Sequence, residues 1–117
     1  MLRTFCHSKL HRASVTSIDL DYEGSLTIDA HLMNLAEIIS GEQIHVLNIN
    51  NGNRFVTYAI EGAPSSGIIQ VNGSAAHLCS LGDKLIILTY CQIEGSQAVG
   101  WKPKVIQLDS NNEVKAA

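Results

Sequence analysis

Charge is scarce in this chain: Lys, Arg, Asp and Glu make up 16% of its 117 residues, against about 25% in an average globular domain. So thin a charged coat implies surface buried beyond a single copy, and oligomerisation is the compositional expectation. The basic residues are scattered and the net charge is −3, which leaves no basic stripe for nucleic acid or an anionic membrane. Long apolar runs are also missing. The longest strongly apolar stretch, Leu85 to Leu88, is far below the roughly 20 residues that cross a bilayer, and no basic segment followed by an apolar one opens the chain. A cytoplasmic location is the expectation. Cysteine is limited to Cys6, Cys79 and Cys91, an odd and widely spaced set that suits reduced, mostly buried thiols better than disulfides. Cys6, His7 and His11 are a conceivable metal set, but nothing pairs with them at ligand spacing, so no metal is expected. Repeats, linkers and low-complexity segments are absent. So is a Gly-x-Ser-x-Gly elbow around Ser25, which argues against a serine hydrolase.

What is present is enough for one domain, residues 1–117, with one core. The pattern predicts many short strands. Leu2 to Cys6 is a first strand and Leu10 to Leu20 a longer one; Leu26-Thr27-Ile28 resumes after an interruption at Glu23-Gly24-Ser25. Asp29 is placed to cap a short helix in which Leu32, Leu35 and Ala36 share a face, with Gly41 ending it. Gln43 to Asn50 and Arg54 to Ile60 flank Asn51-Gly52, a strong hairpin signal because both turn residues accept positive φ. Gly67 to Val71 is a strand, and Asn72 to His77 leads into a helical turn. Lys84 to Ile93 reads as a strand buried on both faces, and Val105 to Leu108 is the last strand. Such a set of elements predicts a mainly β fold, a small barrel with short helices.

Tyr22-Glu23-Gly24-Ser25 is where chemistry is concentrated. A serine hydroxyl beside a peptide carbonyl can attack it, shifting the acyl group from nitrogen to oxygen. Glycine suits the preceding position because it tolerates unusual backbone angles and leaves its carbonyl open. Elimination of the ester would turn Ser25 into dehydroalanine and then, with loss of ammonia, into a pyruvoyl group. Elsewhere, Arg54 and Tyr58 lie four residues apart on one strand face, and Thr57 points to the other. A guanidinium can hold a carboxylate bidentately while a phenol on the same face delivers a proton. Lys9 and His11 likewise share a face. Asn72-Gly73-Ser74-Ala75 joins a side-chain amide to a glycine turn whose N–H groups can approach an oxyanion.

Four ordered motifs carry a resemblance over nearly the whole chain: Lys9-Leu10-His11-Arg12, Tyr22-Glu23-Gly24-Ser25, Asn51 through Ile60, and Val71-Asn72-Gly73-Ser74-Ala75-Ala76-His77. Together they resemble the aspartate 1-decarboxylase family, pyruvoyl-dependent lyases that make β-alanine for pantothenate. The resemblance implies a double-psi β-barrel, a homotetramer, and autocatalytic cleavage of a zymogen between Gly24 and Ser25 into residues 1–24 (β chain) and 25–117 (α chain). It implies that Ser25 becomes the covalent pyruvoyl cofactor, whose ketone forms a Schiff base with L-aspartate, and that Tyr58 is the proton donor. Thr57 would stabilise the oxyanion on Gly24 and also line the substrate site. Lys9, His11, Arg54, Asn72, Gly73, Ser74 and Ala75 would bind substrate, with Lys9 beside Arg54 as the second cation. A maturation protein is a possible partner for the cleavage. Leu47 departs from the tryptophan frequent at that position, which loosens one wall. Two alternatives stay open: a pyruvoyl enzyme for another amino acid, and a barrel that only binds.

Overall fold

The computed structural model describes residues 1–115. Eight strands make up about half of it: β1 (Leu2–Ser14), β2 (Ser17–Asp19), β3 (Ser25–Asp29), β4 (Gln43–Asn48), β5 (Arg54–Gly62), β6 (Ile69–Asn72), β7 (Lys84–Glu94) and β8 (Lys104–Gln107). One α-helix, α1 (Ala30–Leu35), follows β3, and two 3-10 turns span Gly73–Leu78 and Gly95–Gln97.

The strand order β2-β6-β3-β5-β4-β7-β1-β8 closes on itself. β1 and β2 are consecutive in the chain, separated only by Val15 and Thr16, whose N–H groups donate to Asp83 and Ile69 carbonyls. The two together form one long stave, and six staves make a barrel with β8 added outside. The topology has an internal two-fold. Exchanging the unit β1/β2, β3, β4 with the unit β5, β6, β7 reproduces every neighbour: the parallel pair β2–β6 maps onto β3–β5 and the antiparallel pair β1–β7 onto β4–β5. Two interlocked three-strand units of this kind are the double-psi arrangement, so the mainly β barrel is as the sequence indicated.

Alternation fills the barrel. Leu10, Leu26, Ile44, Val46, Val71 and Ile87 are fully buried, each worth about 1.5–3 kcal/mol of transfer free energy. Their neighbours in sequence face outward. β7 is buried on both faces only in part: Leu85, Ile87, Leu88 and Thr89 are covered, but Tyr90, Gln92 and Glu94 are exposed. The expected two-sided burial fails there because the outer face of the strand opens to solvent after Thr89.

Local signals also differ in detail. The first two expected strands are divided differently: β1 runs unbroken from Leu2 to Ser14 through irregularities at Cys6/Ser8 and His11/Ala13, with Arg12 at φ 72°, and the expected strand to Leu20 breaks at Val15 and Thr16, leaving β2 to end at Asp19. The hairpin loop is longer than a two-residue turn. Asn48 N–H donates to Asn53 and Gly52 N–H to Asn48, leaving Ile49 to Gly52 as the loop, in which only Gly52 is left-handed (φ 78°). Asp29 does cap α1, accepting from His31 N–H at 2.8 Å. Gly41 does not end that helix; Ala36 does, and Glu37 takes the left-handed position at φ 57°. Past β8, Asn112 acts as a strand edge in miniature. Its side chain accepts from Ser14 N–H at 2.7 Å and donates to the carbonyls of Ser14 and Gly67 at 2.9 and 2.8 Å.

Candidate functional site

The ladders bring Ser25 beside Asn72. The two are direct partners in the β3–β6 pair, and Thr27 is opposite Gln70 in the same pair. Leu26, Ile28, Ile69 and Val71 alternate with them into the core, so Ser25, Thr27, Gln70 and Asn72 share the outer face. That face should be wet, yet Ser25 and Asn72 are fully buried. The segment before Ser25 and the 3-10 turn after Asn72 close over it. A Cβ on Gly73 would stand 2.8 Å from Gly24 N and Cα and 2.9 Å from the Tyr22 carbonyl oxygen, and Gly73 itself has φ 70°. Two demands therefore meet at one glycine: left-handed backbone and backbone-to-backbone contact. Gly24 meets neither demand. It is not left-handed, and a Cβ there would meet nothing within 4 Å. The close packing that glycine permits is carried by Gly73.

Asn72 occupies the position before the 3-10 turn, where an Asn side chain ordinarily caps the turn's own N–H groups. Here it makes no capping bond. Its Nδ2 donates instead to Ser25 Oγ at 3.0 Å and Thr27 Oγ1 at 2.9 Å, and Ser25 Oγ donates to the Glu23 carbonyl at 3.1 Å. The serine oxygen thus has its proton directed, one lone pair held, and one lone pair free. Ser74 is exposed and Ala75 half-buried in the following turn.

Tyr58 and Ser25 stand one position before the first paired residues of β3 and β5, Leu26 and Ala59. Tyr58 is exposed on the outer face. Thr57 is opposite Ile44, a core residue, so its side chain lies on the inner face, as the alternation indicated. Arg54 is four residues up the strand from Tyr58, roughly 13 Å along it. Its guanidinium donates to Tyr90 Oη at 3.3 Å and lies 3.2 Å from His45 Nδ1, while the His45 and Tyr90 rings meet edge to face at 4.8 Å. An open cleft of about 390 Å³ lies beside this group, lined by Thr4, Glu42, Gln43, His45 and Tyr90.

Lys9 and His11 stand elsewhere in the single copy. Lys9 is paired with Leu88, Leu88 with His45, and His45 with Val56; His11 reaches Arg54 only through Ile86 and Leu47. Three strand spacings, roughly 14 Å, separate β1 from β5 along the sheet. The imidazole of His11 titrates below its ordinary value, first because burial disfavours its charged form and then because Lys9, Arg12 and Lys115 repel it.

Sequence reasoning passed over four residues that act here. Gln70 and Thr27 hold the Asn72 amide, and His45 and Tyr90 hold Arg54. Only cross-strand pairing places them, and the one legible hint was His45 alternating with Gln43 and Leu47 on the strand before the hairpin. The wall at residue 25 fits a keto group made from the serine: it is dry, and an amide donor stands within hydrogen-bond reach. Among the described residues no group of three or more His, Cys, Asp or Glu could hold a metal ion.

Comparison with known proteins extends this geometry. The sequence model of the aspartate decarboxylase family matches residues 1–115. Aspartate 1-decarboxylase of Thermoanaerobacter pseudethanolicus is 53% identical over 113 residues, 97% of each chain. That of Albidiferax ferrireducens is 51% identical over 115 residues, 98% of this chain and 85% of the relative. That of Caulobacter vibrioides is 50% identical over 117 residues, 100% of this chain and 99% of the relative. Among solved structures, a rationally designed double-psi barrel, mkDPBB_sym_86, overlaps 68% of this chain and 91% of its own at 12% identity and TM-score 0.49. The fold assignment rests on the strand order rather than on that overlap.

Proposed function

The chain belongs to the aspartate decarboxylase family, and on that premise we propose that it releases the 1-carboxylate of L-aspartate as carbon dioxide, leaving β-alanine for pantothenate synthesis in the cytoplasm. The observation that carries the reading is Ser25. A fully buried hydroxyl directly after Gly24, gripped by an amide, has no need of such a setting as a simple turn residue.

The chain prepares itself first. Ser25 Oγ attacks the Gly24 carbonyl carbon, the peptide C–N bond breaks as the C–O bond forms, and the hydroxyl proton ends on the freed amine. Thr57 donates to the oxyanion during this shift. Loss of the Ser25 Cα proton with the Gly24 carboxylate leaves an unsaturated residue, and water displaces ammonia from it. The pyruvoyl ketone so made supplies the electron sink for decarboxylation. Arg54 clamps a substrate carboxylate, preorganised by His45 and Tyr90. Tyr58 delivers the proton to the carbon that lost carbon dioxide. Asn72, Gly73, Ser74 and Ala75 border the reacting end, with His11 at the substrate's other side. Lys9 supplies the second cation. Because Lys9 and Arg54 of one copy are three strands apart, the grip is completed between copies of a homotetramer.

Intact mass spectrometry of the purified chain after prolonged warm incubation, beside Ser25→Ala, tests this. The expected result is two fragments, 1–24 and 25–117, the larger carrying a ketone in place of its amine, with an uncut control and β-alanine formed from L-aspartate. Cut chain without that mass change sinks the cofactor. A chain that stays whole alone but is cut when another cell protein is added assigns the maturation partner, and one that is never cut sinks the reading.

A further inference from the structure

Five polar side chains on the outer face of β2, β6 and β3 form one directed line of hydrogen bonds, of which the chemistry above uses only the end. Ser17 Oγ donates to Gln70 Oε1 at 2.8 Å, and Gln70 Nε2 donates to Asn72 Oδ1 at 2.8 Å. Asn72 Nδ2 then donates to Ser25 Oγ and Thr27 Oγ1. The ladders fix the line: Ser17, Gln70 and Thr27 are one row of partners, and Asn72 and Ser25 belong to the next.

We propose that Gln70 is a positioning residue for self-cleavage, supplying the donor that lets Asn72 turn its N–H groups toward Ser25. This rests on the self-cleavage reading of Ser25. A hydroxyl donates or accepts, so the uncut chain is satisfied with the Asn72 amide either way round. The ester is different. Once the Gly24 acyl group is on Ser25 Oγ, that oxygen has lost its hydrogen and only accepts. Asn72 with Nδ2 inward holds it; Asn72 with Oδ1 inward sets acceptor against acceptor. The productive orientation commits both amide hydrogens of Asn72 to Ser25 and Thr27 and leaves Oδ1 in need of a donor within a covered wall. Gln70 Nε2 is that donor, and Ser17 holds the far side of the same amide. The line therefore spares the ester, the state that elimination consumes, the acceptor-against-acceptor contact that a reversed Asn72 amide would impose on it.

Gln70→Glu has the same shape but only accepts, so it draws Nδ2 of Asn72 outward and turns Oδ1 toward Ser25. Gln70→Lys only donates and keeps the native orientation. Full-length chains are purified uncut, matched by melting temperature, and followed by intact mass. The expected result is cleavage slowed about tenfold or more in Gln70→Glu and within about threefold of native in Gln70→Lys, the size expected for one misdirected hydrogen bond. Hydroxylamine, which traps the ester, releases correspondingly less fragment from Gln70→Glu. Should the lysine variant not fold, Gln70→Met replaces it; imposing no orientation, it must cleave faster than the glutamate variant. Native-rate cleavage in Gln70→Glu, or equal slowing in the glutamate and donor variants, overturns the proposal. A native chain that never cleaves overturns the reading of Ser25 itself.

Discussion

At Gly73 a methyl group has nowhere to go, because the atoms it would strike are backbone and the φ is left-handed. Gly73→Ala is expected to cost about 1–3 kcal/mol of stability and to slow cleavage by pushing the Gly24 segment away. Gly24→Ala meets nothing and should melt as the native chain does; thermal melts of the two variants distinguish them. Tyr58→Phe removes a proton donor but no packing, so it should cleave normally and lose about 100-fold or more in kcat with KM little changed. A loss confined to KM would remove Tyr58 from the proton step. The sequence made some of this legible. Period-two alternation put Arg54 and Tyr58 on one face and Thr57 on the other, because alternation is a property of a single strand. It could not find Gln70, Thr27 or Tyr90, whose roles depend on which distant strand lies alongside.

Among the elements, the connection from β3 into α1 hangs on one carboxylate. Asp29 accepts from His31 and Ser65 N–H through Oδ1 and from Gly67 N–H through Oδ2, all at 2.8 Å. Burial by itself raises its carboxyl, but the N–H groups of Gly67, Ser65, His31 and Leu32 outweigh that and hold it below the ordinary value. A carboxyl lowered by folding stabilises the protein fully above its unfolded pKa and loses that contribution as pH falls through the folded one. Asp29→Asn should therefore melt lower at neutral pH and lose less additional stability on acidification below about pH 4; parallel melting curves from pH 7 to 3 check it. Asn112→Ala removes three hydrogen bonds at the β1–β2 junction and should cost about 3 kcal/mol in denaturant unfolding. Strand and cap chemistry were readable because Asp29 precedes an apolar helix face and Asn-Gly sits between strands. Their ends were not: the hairpin loop took four residues because Gly52 bonds back to Asn48, and Glu37 rather than Gly41 turned the chain after the helix.

At the scale of the molecule, the sparse charge of the sequence has a counterpart in apolar residues left on the outside, among them Leu20, Tyr22, Ile49, Val56 and Leu81. Size-exclusion chromatography with light scattering should give four times the 12.7 kDa chain. Lys9→Ala and Arg54→Ala should each be inactive alone, yet subunit mixing should restore about a quarter of the sites, those pairing an intact lysine with an intact arginine. No recovery would mean that one copy supplies both cations. The barrel class was legible from many short alternating strands, whereas its closure was not, since it depends on β1 and β2 being one stave that binds β7 at one end and β6 at the other. That stave lies wholly before Gly24. Under the cleavage proposed above, the first 24 residues would become a separate molecule that still joins β7 to β6, kept there by sheet hydrogen bonds and packing alone. The proposed maturation would then work in one direction: the uncut chain folds as a single molecule, but the cut one, once melted and diluted, would have to find a lost partner in solution, so its recovery should rise with concentration while that of Ser25→Ala subunits, before they assemble, does not.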